Sequence, residues 1–170
     1  MKKILIHLIL LAFSFVANAQ NSAVDQLFNK YANKDGFTSV TISKAMFSLF
    51  ANENESRDEF NKAVKGLESI RILTPDSTLV AGGLNFYKEI SKSLPIAQYE
   101  ELMSVKEKDQ VFKMLVRKNG SMITEFLMIG GGNSNVLICI TGNIDLKSIS
   151  KLSKSMDIEG MENIENVDKK

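Results

Sequence analysis

Between Tyr99 and Thr141 the chain reads as four strand-like runs joined by connections of a few residues each: Tyr99 to Glu107, Gln110 to Lys118, Ser121 to Ile129 and Asn135 to Thr141. Connections this short make neighbouring strands antiparallel, because a parallel pair needs a crossover of a dozen residues or more. The stretch from 99 to 141 is thus committed to an antiparallel meander. Asn119-Gly120 sits between two alternating runs and is the strongest hairpin signal, since a type I′ turn needs φ > 0 at both central positions. Gly130-Gly131-Gly132-Asn133-Ser134 reads as the next connection, a flexible loop. A phosphate-cradling loop would run from a strand into a helix N-terminus; here the glycines lie between two strands and no lysine follows in register.

The meander carries more apolar residues than one sheet face requires. Phe112, Met114 and Val116 share one face, yet Val111 and Leu115 lie on the other; Met122, Phe126 and Met128 oppose Ile123, Leu127 and Ile129. Such a sheet is either covered on both faces or offers an apolar patch. Val111, Leu115, Ile123, Leu127 and Ile129 are therefore the candidate surface for a partner or an apolar ligand. Helices that could provide cover are read at Ser22 to Ala32, about Arg57 to Leu67, Leu84 to Leu94 and about Leu146 to Met156, from apolar residues at helical spacing. Two further strands are read at Phe37 to Ser43 and Ser69 to Leu73, after which Pro75-Asp76-Ser77 closes the strand. The order predicts an α+β fold of two layers, a mostly antiparallel sheet of about six strands with helices packed on it. The β-α-β-α start is compatible with a ferredoxin-like half.

The N-terminus has the parts of an export signal. Lys2 and Lys3 precede an apolar run from Ile4 to Val16, and Ala17-Asn18-Ala19 supplies the small residues a signal peptidase accepts. Cleavage between Ala19 and Gln20 is expected, giving a signal peptide over 1–19, one domain over 20–156 and a flexible acidic tail over 157–170. The apolar run is short of the roughly 20 residues a spanning helix needs, and none of that length follows, so no transmembrane segment is expected in the mature chain. The residue after the run is Gln20 rather than cysteine, so a lipoprotein is not expected either. Cleavage would remove Lys2 and Lys3 and no acid, turning 21 basic against 20 acidic residues into 19 against 20. A net charge of −1 is no footprint for nucleic acid.

His7 is the only histidine and Cys139 the only cysteine. The mature chain would then have no imidazole base, no Ser-His-Asp or Cys-His arrangement, and no internal disulfide. It would also lack the commonest transition-metal ligand. No metal and no cofactor is expected, and no catalytic residue is assigned. Cys139 lies in Val136-Leu137-Ile138-Cys139-Ile140 and reads as a small buried hydrophobe. Glu100, Glu101, Glu107, Asp109 and Glu125 read as solvated strand positions, although two of them at the right separation would suffice for a carboxylate hydrolase. Asn52-Glu53-Asn54-Glu55 reads as a solvated loop without the glycine a calcium loop needs. Asp76-Ser77-Thr78 matches a short O-glycosylation sequon but reads as an ordinary turn.

Several stretches together are similar to a known family. Ala-Asn-Ala-Gln at the end of the signal, Thr38 to Lys44 followed by Met46-Phe47, Tyr99 to Lys106, and Gly142-Asn143-Ile144-Asp145-Leu146 resemble exported proteins grouped as domain of unknown function 4252. The resemblance implies an exported protein of a Gram-negative bacterium, periplasmic or secreted, with no established activity and no catalytic residues to transfer. The expectation is a non-enzymatic domain that binds a periplasmic or cell-envelope protein or associates with itself. The alternatives are a carrier of a small apolar ligand or lipid and a carboxylate-dependent hydrolase.

Overall fold

The structure is a computed structural model that describes residues 22–50, 61 and 64–145. The signal peptide read at 1–19, the polar residues at 52–56, most of the helix read at 57–67, the helix read at 146–156 and the tail read at 157–170 lie outside the described residues.

Alternation of β-branched and apolar residues builds six strands: β1 Phe37–Ser43, β2 Leu67–Pro75, β3 Glu100–Lys106, β4 Gln110–Asn119, β5 Met122–Gly132 and β6 Leu137–Ile144. They form one sheet in the order β1-β2-β6-β5-β4-β3, and every neighbouring pair is antiparallel. The fold is α+β, and the meander from β3 to β6 is formed as its short connections require. A ferredoxin-like half is not formed: β1 and β2 lie side by side and antiparallel, whereas the split βαβ unit would set them parallel with a strand between them.

Both faces of the sheet are apolar and buried. On one face, α1 (Ala23–Tyr31) and α4 (Phe86–Ile90) cover Leu73, Leu115, Leu127, Ile129, Leu137 and Cys139. Ser22 caps α1 through a reciprocal pair of bonds with Asp25, 3.1 Å from the Asp25 amide to Ser22 Oγ and 3.1 Å from the Ser22 amide to Asp25 Oδ2. Tyr31, Phe37 and Phe86 cluster where α1, β1 and α4 meet: Phe37 stacks on Tyr31 and on Phe86 with centroids 4.6 and 6.3 Å apart, and Tyr31 is tilted against Phe86 at 5.8 Å. Glu89 ties the two helices together, accepting from Tyr31 Oη at 2.6 Å and Lys30 Nζ at 2.8 Å. On the other face, α2 (Lys44–Phe50) continues β1 without a break and inserts Phe47 among Ile70, Met114, Phe126, Met128 and Ile140.

Several local readings shift. Gly130, Gly131 and Gly132 are strand residues opposite Phe112, Val111 and Gln110, not a loop. The turn falls one step later, at Asn133-Ser134. Glycine is required at 131 by packing: a Cβ there would run into the Asn85 side chain and lie 2.8 Å from Tyr87 Cβ. Gly131 thus lets the N-terminus of α4 settle on β5. Asn135, buried beside them, accepts from the Phe86 amide at 2.8 Å and donates to the Leu84 and Gly132 carbonyls at 2.7 and 2.8 Å. The hairpin loop is Gly120-Ser121, since Asn119 still pairs with Met122; Gly120 takes φ +62°. The helix read over Leu84 to Leu94 shortens to five residues capped by Asn85. Asp76, read as a turn residue, caps a further helix, α3 (Ser77–Ala81), by accepting from the Leu79 amide at 2.9 Å. Leu67, read as the end of a helix, opens β2.

Candidate functional site

The five candidate surface residues do not form one surface. Leu115, Leu127 and Ile129 sit together in the buried core beneath α1 and α4. Val111 is half-buried opposite Gly131. Ile123 packs on the opposite face, because the β5–β6 ladder shifts between Ile123 and Glu125 and reverses the parity beyond that point. The side chains that cover Leu115, Leu127 and Ile129 belong to this same chain.

A polar row crosses the helix-covered face just beyond these leucines. Ser69 pairs with Thr141, Thr141 with Glu125, and Glu125 with Arg117, so the four side chains line up on one face of β2, β6, β5 and β4. Ser69 Oγ and Thr141 Oγ1 are 2.9 Å apart. Glu125 is the focus of the row and is only 3 % exposed. Its carboxyl accepts from Tyr99 Oη at 2.9 Å and from the Arg117 guanidinium, and the Cys139 thiol points at it from 3.8 Å. One row further in, Arg71 stands opposite Cys139, pairs with Asp25 at 2.8 Å and lays its guanidinium on the Phe28 ring, 4.6 Å from the centroid. A chain of polar groups thus runs from the capping box of α1 to the start of β3.

Sequence reasoning took Glu125 for a solvated strand residue, and the structure corrects that. A signal for its burial was present. Both faces of the run Met122 to Ile129 are apolar, so an acid in its middle has no solvent-facing side to occupy. Its partners were not legible, because Arg117, Tyr99 and Cys139 come from three other strands or their flanks.

An open cleft of about 700 Å³ adjoins this row. Ser22, Ala23 and Gln26 of the α1 start, Ser93 to Pro95, Gln98, Tyr99 and Arg117 line it. None of these is a carboxylate, so the two-acid arrangement of a glycosidase is not assembled there. The thiol and the phenol beside Glu125 are groups that keep their protons. Burial, reinforced by the Glu125 charge, pushes the Cys139 thiol up to about 12, and the same two causes raise Tyr99 well above its ordinary value. Burial alone would raise Asp25, but its bonds to Ser22 and Arg71 outweigh that and hold it below the usual carboxylate range. Each shift moves its group away from neutral pH, the opposite of what a general acid or base needs. Among the described residues no three His, Cys, Asp or Glu side chains gather as a metal site, and no helix is long and apolar enough to cross a membrane.

The two edges of the sheet differ sharply. β3 is a protected edge: Glu100, Glu101 and Lys106 place charges along it, and its ladder to β4 is interrupted between Glu101 and Met103. Glu101 and Glu100 pair with Lys113 and Lys118. β1 has none of these devices. Phe37-Thr-Ser-Val-Thr-Ile-Ser43 contains no charge, no proline and no register shift against β2, and Thr38, Val40, Thr41 and Ser43 are exposed. Next to it, Met46 and Leu49 of α2 are 43 % and 74 % exposed while Phe47 between them is buried.

No curated protein and no solved structure matches this chain. A family model matches residues 31–152, which takes in every strand of the sheet together with α2, α3 and α4. On that match the chain belongs to the family described as Domain of unknown function (DUF4252).

Proposed function

We propose that this chain is an exported, non-enzymatic domain that binds a protein partner through the β1 edge of its sheet. The observation that carries the reading is the contrast between the two edges. Natural sheets blunt their edges with charges, bulges or prolines, as β3 does, and an uncharged, regular, exposed edge strand is a template for another strand. The exposed Val40, Met46 and Leu49 add apolar area beside that template. The pKa shifts around Glu125, all directed away from neutrality, support a binding role over a catalytic one. Export rests on the N-terminal Lys2-Lys3, the apolar run and Ala17-Asn18-Ala19.

The test is site-specific photo-cross-linking in the cell that makes the protein. A photoreactive residue at Val40 is expected to give a discrete adduct, and the same residue at Val105 on β3 is expected to give none. Both positions are similarly exposed, 40 % and 39 %. No adduct at Val40, or equal adducts at both, overturns the proposal.

A further inference from the structure

Resting on that reading of β1, we infer that the partner is a second copy of this chain, joined β1 to β1 in antiparallel register about a two-fold axis through Val40, so that two six-stranded sheets become one.

The register follows from the main chain. The Asp76 amide donates to the Gly36 carbonyl at 2.7 Å, so Gly36 is a residue whose backbone groups face β2. Backbone direction alternates along a strand, so Thr38, Val40 and Ile42 also face β2, while Ser39, Thr41 and Ser43 present theirs to the open side. An antiparallel partner must align outward-facing residues with outward-facing residues. Centring the axis on any one residue does so, and among these Val40, the middle residue, is the centre that overlaps the whole strand from Phe37 to Ser43, setting Ser39 against Thr41 of the second copy. Centring it between two residues would oppose outward-facing groups to inward-facing ones and form no ladder.

The side chains suit this pairing. Val40 meets Val40, Thr38 meets Ile42, and the Ser39 and Thr41 hydroxyls meet each other, with no like charges opposed anywhere in the strand. Beyond the strand ends, Lys44 of one copy comes level with Gly36 of the other, one residue from Asp35, so the flanking charges are complementary across the axis. The seam is isologous and closes on itself, since each copy uses the one edge that is unprotected among the described residues. The resulting sheet ends at both sides in the charged, bulged β3. An interface built on one strand pair and a short helix is at the small end of specific interfaces, so association is expected to be concentration-dependent.

The test is disulfide trapping in the purified chain. Directly opposed residues that do not exchange hydrogen bonds lie about 4.5 Å apart at Cα, within disulfide range. Two copies of residue 38 would be about 13 Å apart, four steps along the strands. Val40→Cys is therefore expected to give a covalent dimer under mild oxidation. Thr38→Cys and the unaltered chain, whose one thiol is the buried Cys139, are expected to stay monomeric on a non-reducing gel. Light scattering should show a dimer whose dissociation constant rises tenfold or more in Val40→Lys, which sets two ammonium groups face to face. Trapping of Val40→Cys no better than Thr38→Cys, or a monomer at every concentration, overturns the inference. If Val40 then cross-links in the cell to a different protein, strand addition stands and self-pairing falls; if it cross-links to nothing, both fall.

Discussion

Replacing Glu125 by alanine removes the hub of the polar row, and the structure sets the size of the effect. The Tyr99 hydroxyl, half-buried and 2.9 Å from the carboxyl, would lose its acceptor at a cost of about 1–2 kcal/mol. Arg117 would lose its partner, but its side chain is 40 % exposed and water can replace the carboxylate, so that share is about 1 kcal/mol at most. The one methylene lost, Cγ, carries roughly 0.8 kcal/mol of transfer energy. Against these stands the relief of a desolvated carboxyl group, which offsets about 1–2 kcal/mol. The net expectation is a loss of about 1–2 kcal/mol for Glu125→Ala. Glu125→Gln keeps the shape and an acceptor for Tyr99, and should lose only about 0.5 kcal/mol. Urea unfolding followed by far-ultraviolet circular dichroism reads both variants, with unchanged m-values as the check that the denatured state is unaltered. Equal losses for alanine and glutamine, or a loss under about 0.5 kcal/mol for alanine, would refute the view that Glu125 is a buried hub held by geometry.

Other parts of the structure make further predictions. The Cys139 thiol, pushed up to about 12, should be alkylated at pH 8 roughly a thousandfold more slowly in the native chain than in urea, where a thiol titrates near 8.5. Its raised pKa also means that its contribution to stability is complete below about pH 8.5 and is lost as pH climbs towards the native value. Asp25 and Glu89 are held below the ordinary carboxylate range, because their bonded partners outweigh the opposing effect of burial. Their contribution is present above about pH 4.5 and lost as pH falls through the native values; the urea midpoint should drop between pH 5 and 3, less steeply in Asp25→Asn. Gly131→Ala must displace the Asn85–Tyr87 segment and should cost about 1–3 kcal/mol, read as a lowered thermal midpoint. Asn135→Asp keeps the shape but loses both donors to the Leu84 and Gly132 carbonyls, and should cost about 2–4 kcal/mol in the same assay.

What the sequence determined by itself is what depends on neighbours along the chain. Alternation from Gln110 to Lys118 and from Ser121 to Ile129 requires strands, the short connections require them to be antiparallel, and apolar residues at helical spacing require a helix over Ser22 to Ala32. The two-sided apolar pattern was legible for the same reason, since the side-chain period in a strand is two. What only the tertiary structure decided is which strand neighbours which, and therefore what each side chain meets. Gly131 reads locally as loop; in the fold it is the one residue small enough for α4 to approach. Glu125 reads locally as solvated; in the fold it is walled in by Tyr99, Arg117 and Cys139, which share no local motif with it. The seven residues of β1 look like any other strand, and nothing in them says that β1 ends the sheet. Edge position is a property of strand order, and strand order is set by the sum of contacts between segments distant in sequence. It is that order which leaves an uncharged strand unpaired among the described residues and makes it the surface on which the function of this chain is proposed to rest.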